Sequence, residues 1–446
     1  MSNLSQNRIG PDGVASTPTS YEVMHVTLQS NSVMNNKNNY LYDITNMVAD
    51  FSIKESLTTP GLAIIIRIGD TINMMEELKL TGNEKITIGV RRKEPIAGSA
   101  TGSVTKRIEI ECHISEISNY TRVKSNAAAY TLLCISEHMY LNHLKSLKTA
   151  FSGTPVEIIK KVCKSQLNKD VVTNDGSKNI ISGVFPTLRV LSGVSWILRH
   201  AFDNGTPYFF YQTLYNSGEL NCLSYKHLLA QDVYDEYTFA PFINPNIEFE
   251  SREGYEVERT MIRDIVSDYG QGKFVAASKG AYAASTHTID IAEKSYNKSI
   301  YQYKPEQKLN SHGVLSTTEQ AKIGDNILTD YFDSKNYFIS LNSKAFENGR
   351  NYMSPAPTDL PKAMAHLENF NHQTHQIQIA GDFDMRVGNK IKVTIKKPQE
   401  EVNGSGVDLL HSGIYLVTEL THAFGKGYYQ TLTIQKDSGE VNLNAS

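Results

Sequence analysis

Apolar and polar residues trade places with period two from Tyr21 to Tyr140. Examples are Tyr21-Glu-Val-Met-His-Val-Thr-Leu28, Lys85-Ile-Thr-Ile-Gly-Val90 and Arg107-Ile-Glu-Ile-Glu-Cys-His-Ile114. Successive side chains of a strand point to opposite faces, so this alternation predicts strands with one face buried. Asn38-Asn39, Thr59-Pro60-Gly61, Gly82-Asn83 and the small-residue stretch 97–104 interrupt the runs as turns. Many short strands with such breaks predict a barrel or a sandwich. The most apolar run, Gly61-Leu-Ala-Ile-Ile-Ile66, is closed by Arg67 and Asp70. It is far shorter than the roughly 20 apolar residues that a bilayer requires.

The period changes near residue 150. Thr154-Pro-Val-Glu157 reads as a capping box with Pro at the first helical position. The helix it opens places Val156, Ile159 and Cys163 on one face. A second helix is expected after Pro186, with Leu188, Leu191, Ile197, Leu198 and Phe202 as its apolar side. Asp203-Asn-Gly205 then turns into a strand, Tyr208-Phe-Phe-Tyr-Gln-Thr213. Strand-like text resumes at Asn246 and continues to Tyr303. Residues 304–357 are polar and without period. A short helix is expected over 361–370, with Ala363, Met364 and Leu367 inward, followed by strands at 376–379, 390–395, 414–421 and 428–434. The resulting division is a flexible arm (1–20), a first β-domain (21–146), an α/β domain (147–245), a second β-domain split into 246–303 and 374–437, an inserted segment (304–373) and a tail (438–446).

The two strand regions resemble each other. Gly82-Asn-Glu-Lys-Ile-Thr-Ile88, with Lys85 and Ile86, matches Gly388-Asn-Lys-Ile-Lys-Val393, with Lys390 and Ile391, after one inserted residue. Ile114, Glu116 and Ile117 match Val417, Glu419 and Leu420. Tyr130, Leu133 and Ile135 match Tyr429, Leu432 and Ile434 at identical offsets. Three blocks in one order with similar gaps point to an internal duplication. A duplicated β-domain gives a pseudo-symmetric protomer, and three such protomers present six similar units.

Composition narrows the function classes. The 446 residues carry 44 Lys+Arg against 47 Asp+Glu, a formal net charge of −3. This near balance offers no electrostatic footprint for nucleic acid and no polybasic membrane patch. Met1 to Ser20 is polar, lacks the basic-then-apolar pattern of a signal peptide, and leads to the expectation of a cytoplasmic product. Cys112, Cys134, Cys163 and Cys222 show no CxxC pair and no zinc spacing, so four buried free thiols are expected.

Candidate chemistry is sparse. His372-x-x-His375 lacks a third ligand at a convincing spacing and reads as polar residues at a helix end. His422, beside Phe424 in a predicted strand, is expected to pack or bond locally. Cys112 and His113 are neighbours on a strand, so they face opposite ways and cannot act as nucleophile and base. Asp382 and Asp384 could share a face as paired carboxylates, but they sit in a turn-rich strand opening where Asp serves turns. Gly270-Gln-Gly272 and Gly425-Lys-Gly427 read as hairpin turns rather than phosphate loops. Arg91-Arg92-Lys93 and Lys396-Lys397 read as solvated strand ends.

Gly381-Asp-Phe-Asp-Met-Arg-Val-Gly388, Ser412-Gly-Ile-Tyr-Leu-Val-Thr-Glu-Leu-Thr-His-Ala-Phe424 and Tyr428-Tyr-Gln-Thr-Leu-Thr-Ile434 resemble the end of the baseplate central hub proteins of contractile-tailed phages, of the phage T4 tail-hub type. The passage 185–213 resembles the α/β domain of that family. The likeness covers nearly the whole chain in domain order and rests on patterns of strand and turn. It implies an α+β fold, mainly β: two similar tube-type β-barrel domains with an α/β domain between them, and an insertion with a short helix in the second barrel region. It further implies a homotrimer in the virion baseplate, assembled in the host cytoplasm, that joins the sixfold tail tube to a threefold central spike carried on a separate chain. Other implied partners are tube-initiator, tape measure and baseplate wedge proteins, with DNA met only in transit through the lumen. The resemblance implies no enzymatic activity, no cofactor and no metal. Segments 1–20 and 304–357 have no match in it and are expected to contact neighbouring baseplate proteins. Two rivals are a cell-wall-degrading tail enzyme, with Glu116 and Glu419 as acid and base, and a β-rich receptor-binding protein. Catalytic carboxylates need unlike environments, whereas these two occupy equivalent repeat positions.

Overall fold

Where the sequence alternates with period two, the chain forms strands. The computed structural model describes residues 17–30, 41–95, 103–124, 127–214, 218–239, 252–268, 272–303, 322–341, 356–397, 406–408 and 410–437. The first 146 residues supply β1 (Glu22–Gln29), β2 (Leu41–Asp43), β3 (Val48–Ser56), β4 (Thr59–Asp70), β5 (Lys85–Pro95), β6 (Ser103–Lys124) and β7 (Ala127–Ile135). Later residues supply β8 (Val233–Phe239), β9 (Asp264–Asp268), β10 (Gln373–Ala380), β11 (Lys390–Ile395), β12 (Gly413–Phe424) and β13 (Tyr428–Lys436).

These strands share one sheet with the path β9-β10-β13-β12-β3-β4-β7-β6-β5-β1-β2, with β11 on β12 and β8 on β11. Two five-strand sets within it have the same layout. In chain order β3 to β7, the first lies as β3-β4-β7-β6-β5. In chain order β9 to β13, the second lies as β9-β10-β13-β12-β11. The sets fuse where β12 pairs antiparallel with β3, from Glu419↔Ser56 to Phe424↔Phe51. They differ at the outer flank, where β1 is antiparallel to β5 but β8 is parallel to β11.

Each set has an apolar core, and Phe424 of β12 and Tyr428 of β13 pack into the first across the seam. Val26, Ile53, Ile66, Ile88 and Leu132 are buried in the first, and Tyr237, Ile377, Ile391, Leu420 and Leu432 in the second. At about 1.5–3 kcal/mol for each fully buried aliphatic side chain, burial of the alternating apolar face is the main force holding each set together.

The α/β unit follows its sequence signals closely. The helix Pro155–Val162 is entered through both bonds of the capping box, with Glu157 N donating to Thr154 Oγ1 (3.3 Å) and Thr154 N donating to Glu157 Oε2 (3.1 Å). It buries Val156 and Ile159, and Cys163 is buried immediately after it. The second helix, Val190–Leu198, buries Val190, Leu191, Val194 and Ile197. Leu188 and Phe202, expected on its apolar side, instead lie in two-residue strands before and after it. The strand Thr206–Gln212 is buried along its whole length and pairs with Leu220–Ser224. A continuous apolar run of this kind suits a strand covered on both faces.

Three boundaries differ from expectation. Residues 233–239 leave the α/β unit and join the large sheet through β11. The strands Ala283–Asp290 and Ser295–Gln302 join Asn336–Leu341 in a separate three-stranded sheet, not the second strand set. Local alternation is blind to which sheet a strand enters, because non-local pairing decides that. The helix expected at 361–370 runs from Ala356 to Phe370 and buries Ala363, Ala365 and Phe370, with Met364 and Leu367 half-buried. The strand text at 246–250 and most of 1–20, 304–357 and 438–446 lie outside the described residues. Among the described residues no helix is long and apolar enough to cross a membrane.

Candidate functional site at the seam between the strand sets

The repeat residues occupy matching places in the two ladders for two of the three blocks. Ile114 N donates to Glu84 O and Val417 N to Asn389 O, both at 2.9 Å. Lys85 and Ile86 face His113 and Cys112, as Lys390 and Ile391 face Leu416 and Tyr415. Gly82 and Gly388 precede these strands with φ of 91° and 88°, a backbone region that favours glycine. The β6–β7 register shifts between Ile114 and Glu116, and the β12–β13 register shifts between Val417 and Glu419.

The third block is offset by one residue. Ile117 faces Leu132 where Leu420 faces Leu432, and Ile114 faces Cys134 where Val417 faces Ile434. By ladder position Leu432 and Ile434 therefore correspond to Leu132 and Cys134, not to Leu133 and Ile135. Tyr429 corresponds to Ala129, not to Tyr130. A slip of one residue exchanges the faces of a strand. Leu132 and Cys134 are buried whereas Leu133 and Ile135 are half-buried, so the burial pattern follows the ladder.

The seam itself is polar and buried. Glu55 on β3 and His422 on β12 are fully buried, with His422 Nε2 3.5 Å from Glu55 Oε1. Leu214 N donates to Glu55 Oε1 (2.7 Å) and Val387 N to Glu55 Oε2 (3.3 Å). One carboxylate thus ties the first strand set to the α/β unit and to the loop before β11. On the other side of the imidazole, Nδ1 lies 2.7 Å from the Tyr428 hydroxyl and accepts from Gln430 Nε2 (3.2 Å). The ring of Tyr428 stacks on that of Phe424 with centroids 4.4 Å apart. Burial pushes the Tyr428 hydroxyl pKa well up, so this network contains a neutral phenol.

A second cross-link joins β5 to the loop after β10. Arg92 is buried, not a solvated strand end as expected. It donates to Gly381 O and to the Tyr255 hydroxyl (3.0 Å), and its Nε lies 3.5 Å from Glu94 Oε1. Burial works against the Arg92 charge, but Tyr255 and Glu94 outweigh it and hold its pKa above the usual value. Its neighbour Arg91 makes a two-pronged pair with Glu22, at 2.6 and 2.7 Å. Lys396 and Lys397 are exposed, as expected.

Asp382 and Asp384 belong to the same junction. Asp382 Oδ2 accepts from the Tyr234 hydroxyl (2.7 Å), while Lys106 Nζ bridges Asp384 Oδ2 (2.5 Å) and Glu94 Oε2 (2.6 Å). Each carboxylate is engaged by a different element, which fits anchoring better than shared acid–base work. Glu419 pairs with Lys54 at 2.8 Å on the surface, and Glu116 is exposed. Cys112 is buried while His113 is half-buried, as opposite faces require, and all four cysteines are buried and free. Gly425 and Gly427 close the β12–β13 hairpin. Of the other glycine pair, Gly270 lies outside the described residues. No cluster of three potential metal ligands occurs among the described residues.

His372 and His375 have separate surroundings. His372 N donates to Asn369 O at the helix end (3.0 Å). His375 is fully buried on β10, with Nδ1 2.8 Å from Ser267 Oγ and Nε2 3.0 Å from the Tyr415 hydroxyl. Burial, reinforced by His411 and Lys436, lowers its pKa from 6.5 to about 4. The sign follows from linkage: the folded state disfavours the proton, so the stabilisation is whole above pH 6.5 and disappears as pH falls towards 4. At about 1.4 kcal/mol per unit, the expected loss is roughly 2–3 kcal/mol between pH 7 and pH 4. Urea unfolding at both pH values is expected to show this slope in the natural chain. His375→Gln, which keeps hydrogen-bonding capacity without titrating, should flatten it.

No family model matches the sequence, and no curated protein matches it. Solved structures do. The tail protein from Neisseria meningitidis MC58 aligns with a TM-score of 0.51 at 10% identity, covering 94% of this chain and 98% of that one. The prophage MuSo2 43 kDa tail protein from Shewanella oneidensis aligns with a TM-score of 0.52 at 9% identity, covering 93% and 99%. The chain therefore resembles phage tail proteins in fold over almost its full length, with a mainly β architecture built on a large sheet, as the strand-and-turn motifs around Gly381–Ile434 imply.

Proposed function

We propose that this protein is the structural hub of a contractile phage tail baseplate. In this reading it is a homotrimer that joins the sixfold tail tube to a threefold central spike and forms part of the conduit for tape measure protein and DNA. The observation that carries it is the doubled strand set. The same five-strand order occurs twice, with matching ladder positions and a bulge at the same place, and the copies are fused into one sheet at β3–β12. A protomer with two similar β units, read here as tube-type barrels, offers six similar units when three copies close. That arrangement suits an adapter between sixfold and threefold neighbours. The fold likeness to tail proteins supports the virion setting.

The charged groups at the seam support a mechanical role. Asp382, Asp384, Arg92 and Lys106 are each committed to an inter-element contact. The hub reading needs no chemistry from this chain. Partners are a separate spike chain, tube or tube-initiator proteins, and wedge proteins. Light scattering with negative-stain imaging is expected to give three chains per particle and a ring of six similar lobes. A monomer at every concentration would overturn the reading. A peptidoglycan-release assay is expected to show no turnover above buffer, and clear turnover would restore the tail-enzyme rival.

A further inference from the structure

Lys436, at the end of β13, continues the period of the buried Leu432 and Ile434 and is itself fully buried. Its Nζ donates to Leu410 O (2.8 Å) and Ser412 O (3.0 Å) and lies 5.0 Å from the centre of the Tyr415 ring. One ammonium therefore clamps the turn before β12 onto the end of β13. The rest of that turn is built around Asp408. Its Oδ1 accepts from Leu410 N (3.0 Å) and His411 N (3.2 Å), while its Oδ2 lies 2.6 Å from His411 Nδ1. A chain of hydrogen bonds runs from the same turn to β9. The Tyr415 hydroxyl donates to His411 O (2.6 Å), so its oxygen is left to accept from His375 Nε2 (3.0 Å). His375 thus carries its proton on Nε2, and its Nδ1 accepts from Ser267 Oγ on β9 (2.8 Å). Every link has one direction, with a neutral imidazole at the centre.

We propose that Lys436, Tyr415, His375 and the turn residues Asp408, Leu410, His411 and Ser412 form an acid-operated latch. A proton taken up at His375 Nδ1 sets a second positive charge beside the Tyr415 ring that Lys436 already occupies, and the turn opens so that water screens the two. The His375 ring centre is 5.3 Å from that of Tyr415 and 5.8 Å from that of His411. The same proton reverses the Ser267 bond, because Oγ must change from donor to acceptor. The groups facing His375 are Ser267 from β9, Tyr415 from β12, Lys436 from β13, and His411 and Asp408 from the turn. Burial lowers the Lys436 pKa to about 8 against the pull of Asp408 and Asp437, so Lys436 stays charged at pH 7 and below. Burial works against the Asp408 charge, but hydrogen bonds from His411 outweigh it and hold its pKa below the usual value. A proton on His411 strengthens its bond to Asp408 and tightens the turn. His375 is the group whose proton opens it. The closed latch disfavours that proton, so it is shut above pH 6.5 and opens as pH falls towards 4. The turn yields first because polar bonds hold it, and its Leu410 side chain is 51% exposed. The opening is local and does not depend on the hub reading.

Amide hydrogen exchange of the full-length protein at pH 7 and pH 4, corrected for the intrinsic rate at each pH, tests the latch. Protection at Leu410, His411 and Ser412 is expected to fall about a hundredfold on acidification. The amides of Ile86, Ile88 and Val90 on β5 should stay protected at both pH values, because they open only with the first strand set. His375→Gln should abolish the acid step at the turn. Lys436→Met removes the first of the two charges, so its acid step should be smaller, with a midpoint about one pH unit higher. The two variants test the latch independently if one of them fails to fold. An acid step that survives in His375→Gln, or a midpoint unmoved in Lys436→Met, would overturn the proposal. Loss of β5 protection in step with the turn would overturn it as well, because acid would then be unfolding the whole chain.

Discussion

Glu55→Ala is expected to lower the unfolding free energy by about 4 kcal/mol, because it strands buried groups on three separate elements. Leu214 N and Val387 N both point into a fully buried site and donate to this one carboxylate. A buried backbone donor left without an acceptor costs about 1–3 kcal/mol, and alanine is too short to replace either bond. His422 Nε2 also loses the carboxylate oxygen that lies 3.5 Å from it. Glu55→Gln retains one acceptor oxygen and should cost less, about 1–2 kcal/mol. Glu419→Ala gives the contrast. Its partner Lys54 is on the same β3–β12 ladder, but the two side chains are 40–49% exposed, so the change should stay within about 0.5 kcal/mol. Urea unfolding of the three variants measures the order. Equal losses for Glu55→Ala and Glu419→Ala would show that the seam is held by its backbone ladder alone, with no contribution from the buried network.

Sequence period carried most of the fold but could not assign partners. The strands at 22–29, 85–95, 390–395 and 428–436 and the capped helix at 155–162 lie where alternation and the capping box put them. The destination of 283–302 could not be read, because both candidate sheets present the same local pattern. The buried polar network left a signal of a different kind. Arg92 continues the period of Ile86, Ile88 and Val90. Glu55 continues that of Phe51 and Ile53, and His422 lies between Leu420 and Phe424. His375 precedes Ile377 and Ile379 at the same parity. A charged residue in phase with a buried face is either a strand end or a buried anchor. Arg92 looked like the former because Arg91 and Lys93 flank it. The third repeat block failed for a related reason. Tyr130-Thr-Leu-Leu-Cys-Ile135 has apolar residues in both phases, so its text tolerates two alignments and only the ladder distinguishes them.

Gly381→Ala is expected to be as damaging as the loss of Glu55, through crowding in place of an unmet bond. A Cβ at this position would lie 2.0 Å from Tyr428 Cδ1 and 2.3 Å from Cε1, well inside any real contact. The obstacle is the body of a ring, not the end of a flexible chain, and that ring has nowhere to go. It is stacked on Phe424 at 4.4 Å, flanked by Phe383 at 5.3 Å, and held through its hydroxyl at 2.7 Å from His422 Nδ1. The backbone cannot retreat easily either, since Gly381 N donates to Tyr428 O (3.0 Å) while its carbonyl accepts from buried Arg92. Overpacking of a rigid site costs about 3 kcal/mol or more. Gly69→Ala is the matched control: its nearest contact would be Met47 O at 3.9 Å, so it should stay within about 1 kcal/mol of the natural chain. If the seam is where the two strand sets are locked together, Gly381→Ala should also separate their unfolding into two transitions, seen as denaturation curves that no longer coincide between tyrosine fluorescence and far-UV circular dichroism. A single, merely shifted transition would place the lock elsewhere, in the β12–β3 ladder itself.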